Sequence, residues 1–201
     1  MPLFPNSDLV RGNIAHHFKK HLPVITEEAL IELLSAPRSK WDAYYAVLAL
    51  RDVGTTQAVP ALRGMLTYPM QDVKDCAVLT IAHIAGEAET PFYVHALESK
   101  GTRKGYPMWA IEVAADERAI PSVIPFVTVA LKKALRPTPG DPGDVYLMGV
   151  KYLARIGLDR SECQVLKPLF RRAWSALPAG HREVLRQHLP SDWQGSAEGA
   201  G

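Results

Sequence analysis

Segments of nearly the same design recur along this chain at intervals of about thirty residues. Residues 44–54, 75–86 and 107–116 are each an alanine-rich apolar stretch that ends in Gly or Asp. Gly54 and Gly86 are 32 residues apart, and Gly86 and Asp116 are 30 apart. A fourth copy, 146–157, ends at Gly157, 41 residues after Asp116. The extra length falls in a Pro/Gly-rich insertion, 136–144, which reads as a loop. One repeat of this size is a single helical unit that cannot bury its apolar side alone. Several of them stack and share one core.

Each apolar segment is followed by a short polar turn and a second helix, beginning near Thr56, Glu89, Glu117 and Ser161. Pro60, Pro91 and Pro121 fall near the first three starts, where the missing N–H would have no partner anyway. Pro125 and Pro168 lie deeper and are expected to bend their helices or mark later starts. Gly54 and its equivalents fit C-terminal caps with a left-handed backbone, where glycine has no Cβ penalty. Ser39 with Asp42 three residues on resembles a capping box, and Asp72 and Asp144 stand where an N-cap or first-turn acid belongs.

The segment Ala46-Val47-Leu48-Ala49-Leu50 is apolar all round, so a helix there must be covered on several sides. No run alternates β-branched and polar residues, and no sheet is expected. The predicted class is all-α: a short right-handed α-solenoid of about four to five helix pairs. Residues 1–38 read as capping helices. The first starts at Ser7 and Asp8 and carries Leu9, Val10, Ile14, Phe18 and Leu22; the second follows Pro23 and Thr26. Residues 39–190 read as the repeats, with a final amphipathic helix from His181 to Leu189, and 191–201 as a disordered tail.

The string around Ala46-Val47-Leu48-Ala49-Leu50-Arg51-Asp52-Val53-Gly54 and Ala58-Val59-Pro60-Ala61-Leu62-Arg63-Gly64-Met65-Leu66 is similar to the HEAT-like repeats of many small bacterial proteins. The copy opening Asp72-Val73-Lys74-Asp75-Cys76-Ala77 matches as well, and the third and fourth are degenerate. The resemblance covers roughly 41–176 and implies an architecture. That architecture serves scaffolds, phycobilin lyase accessory domains, alkylpurine DNA glycosylases and immunity proteins that neutralise toxins. It assigns no functional residue here.

Candidate chemistry is sparse. His17 and His21 are four apart and share a helical face, with His16 beside them. A metal site needs a third ligand, which no nearby Cys, Asp or Glu supplies. With Lys19 and Lys20 adjacent, a solvated basic face is the expectation, and no metal or cofactor is expected. Trp109, Glu112 and Asp116 could form an aromatic-plus-carboxylate cleft of the kind HEAT-like glycosylases use, although Asp116 also fits a turn or cap. His83 and His95 are isolated histidines. No phosphate-binding loop, dinucleotide fingerprint, Gly-x-Ser-x-Gly or zinc-protease motif occurs. A non-enzymatic role is the expectation. Cys76 and Cys163 both fall in helical patterns and read as small buried hydrophobes of a reducing cytoplasm. The start Met1-Pro2-Leu3-Phe4-Pro5-Asn6 lacks a basic n-region and an apolar run, so neither a signal peptide nor a membrane span is expected.

Charge is the remaining signal. The formal net charge is +2, distributed unevenly. Up to Ala119 there are 12 Lys+Arg against 14 Asp+Glu; from Ile120 to Pro190 there are 11 against 5; two acids follow. Second helices typically line the concave face of such solenoids. Arg63, His95, Lys132, Lys133, Arg171 and Arg172 are therefore the expected partner-binding residues, with Arg182 and Arg186 continuing the basic surface. Tyr93, Phe126 and Trp174 lie on the same helices as possible anchors. The expected partner is another protein with an acidic surface, in an adaptor or toxin-neutralising role. The alternative is nucleic-acid binding or glycosylase-like activity through the basic C-terminal part.

Overall fold

The computed structural model describes residues 8–19, 22, 24–100, 103–136 and 143–195. Ser7, Lys20, His21, Pro23, residues 137–142 of the insertion and the tail from 196 lie outside the described residues. The described chain is all-α, with no strand among the described residues. None of its helices is long and apolar enough to cross a membrane. The chain divides into two compact units, Met1–Ala115 and Asp116–Gly201, so a boundary falls inside the segment read as one array.

The first unit holds α1 (Asp8–Phe18), α2 (Glu27–Ser35), α3 (Lys40–Val53), α4 (Val59–Gly64), α5 (Gln71–Ala85), α6 (Thr90–Glu98) and α7 (Gly105–Ala114). Their ends follow local chemistry. Thr26 and Ser39 accept the backbone N–H of Ala29 and Asp42, which satisfies donors that have no helical partner. Pro60 and Pro91 stand in the first turn of α4 and α6, each after a 3-10 turn, Thr56–Ala58 and Gly86–Glu89. The first helices stack in chain order: α1 on α3, α3 on α5, α5 on α7. The second helices fill in, with α2 on α3 and α4, α4 on α5, and α6 on α7. Ala43, Ala46, Val47 and Leu50 of α3 and Ala77, Leu79 and Ile81 of α5 are fully buried, as their all-round apolarity requires. Where the two helices meet, the buried Thr80 hydroxyl donates to the Val47 carbonyl at 3.2 Å, so this buried polar group is satisfied.

Gly54 corrects an expectation. Its backbone is extended (φ −77°, ψ 149°), not left-handed. It must be glycine for a different reason: a Cβ would stand 2.3 Å from the Leu50 carbonyl oxygen and 2.9 Å from Ile84 Cδ1. Gly86 does carry a positive φ of 56° at the end of α5.

The second unit holds α8 (Ile120–Ala134), α9 (Val145–Ile156), α10 (Lys167–Ala173) and α11 (Ala179–Arg186). Pro121 opens α8 after a 3-10 turn capped by Asp116, and Pro125 lies inside the helix. Pro168 opens α10, so it marks a late start. α8 packs on α9 and α10, and α9 on α11. The expected tail starts too early. Ser191–Trp193 forms a 3-10 turn against α10, and Trp193, 2% exposed, sits 6.1 Å from the Phe170 ring.

Candidate functional site

Cations at the ends of second helices are electrostatically at home, because the last turn carries the negative end of the helix dipole. Arg63 occupies such a place on α4, but its charge is engaged. Its Nε donates to Glu89 Oε2 at 3.0 Å and its Nη2 to Glu89 Oε1 at 2.6 Å, which ties α4 to the turn before α6. The guanidinium also lies 6.0 Å from the Phe92 ring. His95 is exposed on α6, and its carbonyl accepts both the N–H and the hydroxyl of Ser99. Arg63 and His95 belong to the first unit; the other four expected binding residues belong to the second.

In the second unit Lys132 and Lys133 form an exposed pair in the last turn of α8, and Arg171 and Arg172 an exposed pair in the last turn of α10. These two helices pack against each other. Lys132 and Arg172 take part in no ion pair among the described residues. Arg182 and Arg186 are engaged instead. Arg182 donates to the carbonyls of Ser175 and Leu177 at 3.2 and 2.9 Å, and Arg186 pairs with Glu183 at 2.9 Å. Tyr93 and Trp174 are core residues, so neither is an anchor. Among the described residues, the exposed large hydrophobic side chains of this unit are Val129 and Val165, which the apolar periodicity of their segments did not single out.

The first unit has a pocket of about 770 Å³, lined by His17, Phe18, Leu33, Arg38 and Asp42 among others. His17 Nε2 meets Asp42 Oδ1 at 2.8 Å, and its ring lies 4.6 Å from that of Tyr45. His17 therefore locks α1 to α3. His21 lies outside the described residues, and no group of three His, Cys, Asp or Glu fit to hold a metal occurs among them. The second unit repeats the device: His181 Nε2 meets Asp144 Oδ1 at 2.7 Å, and its Nδ1 meets the Tyr146 hydroxyl at 3.2 Å. Asp144 stands at the N-cap of α9 without a capping bond and turns its carboxylate to His181 instead.

On α5, Asp75 is a buried carboxylate that accepts from Gln71 at 2.7 Å and pairs with Arg103 at 3.4 Å. Burial raises its pKa, and the Gln71 hydrogen bond and Arg103 pull it partly back. Burial likewise pushes the Cys76 thiol up to about 12 and raises that of Cys163, so neither is a ready thiolate nucleophile. Trp109 and Glu112 are half-buried on α7 in the first unit. Asp116 opens the second unit as a turn cap: it accepts from the Arg118 N–H at 3.1 Å and from Arg118 Nε at 2.9 Å.

No family model, curated protein or solved structure matches this chain.

Proposed function

We propose that the chain is a short right-handed α-solenoid of HEAT-like helix pairs that acts as a non-enzymatic protein-binding module. Stacking of α1, α3, α5 and α7, with second helices beside them, supports the solenoid reading. The observation that carries the binding reading is the pair of packed helices α8 and α10, each ending in two exposed cations. Four positive charges on adjacent elements favour an acidic partner and steer its approach. A cytoplasmic adaptor or toxin-neutralising role suits such a module.

The test replaces Lys132, Lys133, Arg171 and Arg172 together by Glu and compares the proteins captured from a lysate of the source cells by each form. Loss of the captured partners is expected; an unchanged set overturns the reading. Anisotropy with a random DNA duplex separates the nucleic-acid alternative. Phosphate binding falls with salt by a log–log slope of about −0.9 per neutralised phosphate. Duplex affinity above that for the captured protein at physiological salt would also overturn the reading.

A further inference from the structure

In the second unit the only exposed large hydrophobic side chains among the described residues are Val129, 67% exposed, and Val165, 55% exposed. Both belong to the two elements that carry the cation pairs. Val129 precedes Lys132 and Lys133 by three and four residues on α8, so the three share one face. Val165 lies in the 3-10 turn Cys163–Leu166, which runs straight into α10 and packs on α8. It precedes Arg172 by seven residues, about two helical turns, and so lies along the same side. Each element thus presents an apolar side chain followed along the helix by two cations.

A surface that only held counterions or stayed dissolved would gain nothing from valine at these positions. Valine is a poorer helix former than Lys, Gln or Glu and leaves apolar area in water. Nucleic-acid backbones offer phosphates but no apolar group at the matching place. Membrane-surface helices use Trp, Phe and Leu with their cations, and here the apolar members are two small valines. Resting on the protein-binding reading above, we infer that Val129, Lys132, Lys133, Val165, Arg171 and Arg172 form a docking surface for an acidic amphipathic helix of another protein. Its apolar residues cover the valines, and its carboxylates, one turn away, meet the cations. Apolar contact at the centre sets the lifetime of the complex, and the cations set its orientation and encounter rate.

The probe is a synthetic helical peptide with Leu at heptad core positions and Glu elsewhere, followed by fluorescence anisotropy at physiological salt. A scrambled peptide of the same composition, a Glu/Ala peptide of the same charge, the DNA duplex and phosphatidylserine vesicles are the other arms. The Leu/Glu helix is expected to bind about tenfold or more tightly than any of them. Val129→Asp with Val165→Asp is expected to remove that preference while leaving weak charge-driven binding. Both positions are exposed, so an unchanged melting curve is expected, and Val129→Ser with Val165→Ser supplies a milder second variant. Equal binding of the Glu/Ala peptide, tighter binding of duplex or vesicles, or full affinity in both valine variants would overturn the inference. The two readings fail differently. If the valine variants keep the cellular partners that the four-fold Glu variant loses, this inference falls and the binding reading stands; if neither set of variants changes those partners, both fall.

Discussion

Gly54→Ala adds one methyl group at the point where α3 ends against Ile84 of the next first helix. The backbone of Gly54 suits any residue, so the substitution has no torsional cost. The cost is steric. The new Cβ would lie 2.3 Å from the Leu50 carbonyl oxygen and 2.9 Å from Ile84 Cδ1. Ile84 can rotate; the Leu50 carbonyl belongs to the last turn of α3 and accepts the Gly54 N–H at 2.7 Å. Relieving the clash means moving that backbone and weakening the hydrogen bond, worth about 1 kcal/mol. Overpacking adds about 1–3 kcal/mol, and the stiffer unfolded chain returns about 0.4–1. A net loss of about 1–3.6 kcal/mol follows, or roughly 2–14 °C in Tm for a chain of this size. Urea titration followed by circular dichroism measures it. Two other glycines calibrate the result. Gly64→Ala, helical at φ −58° with open space around it, should stabilise by about 0.5–1 kcal/mol. Gly86→Ala, with φ 56°, ψ −138° and no atom within 4 Å, should cost about 1–3 kcal/mol from torsion alone. A Gly54→Ala protein as stable as the parent would refute the close-approach argument.

Asp75 and the cysteines give two further expectations. Because the folded state raises the Asp75 pKa, it holds that proton more tightly than the unfolded chain does. Asp75 therefore lowers stability as pH rises from the ordinary carboxylate value near 3.9 through its raised folded value. The stability of the parent minus that of Asp75→Asn should fall with pH across that window and then level off; a difference that rises with pH would contradict the burial account. For the thiols, iodoacetamide at mildly alkaline pH should leave Cys76 and Cys163 unlabelled in the native protein and label both in urea. Native labelling of Cys76 at the rate of a free thiol would refute its burial.

Helix positions were legible because their signals are local. Ser39 caps α3 through a residue three positions away, and Pro60, Pro91 and Pro121 fix first turns by what the proline ring cannot do. Gly54 was legible as essential and misread in mechanism, because sequence does not distinguish a glycine needed for positive φ from one needed for close approach. The pairings that decide which side chains are engaged were invisible. Arg63 and Glu89 are 26 residues apart, His17 and Asp42 25, and His181 and Asp144 37. No helical period links such positions; only stacking does. Trp193 was lost for the same reason, since it is held by Phe170 across a turn rather than by a pattern of its own. Val129 and Val165 stand among other apolar residues in sequence, and only their exposure sets them apart.

The helix dipole alone would place a cation in the last turn of a helix, and in four helices it does so with a single arginine that the fold then engages. Arg51 of α3 is buried beside Asp52, Arg63 of α4 holds Glu89, Arg155 of α9 lies over the Tyr152 ring, and Arg186 of α11 holds Glu183. α8 and α10 end differently, although Lys133 takes part in a further interaction and Arg171 helps to lower the Asp192 pKa. They end in doublets, both members exposed, and Lys132 and Arg172 have no carboxylate among the described residues. A second cation in the same turn adds little to the dipole term, which is worth only about 0.3–1 kcal/mol at an exposed site. Stability therefore does not account for the doublets, whereas an incoming acidic surface attracts both members at once.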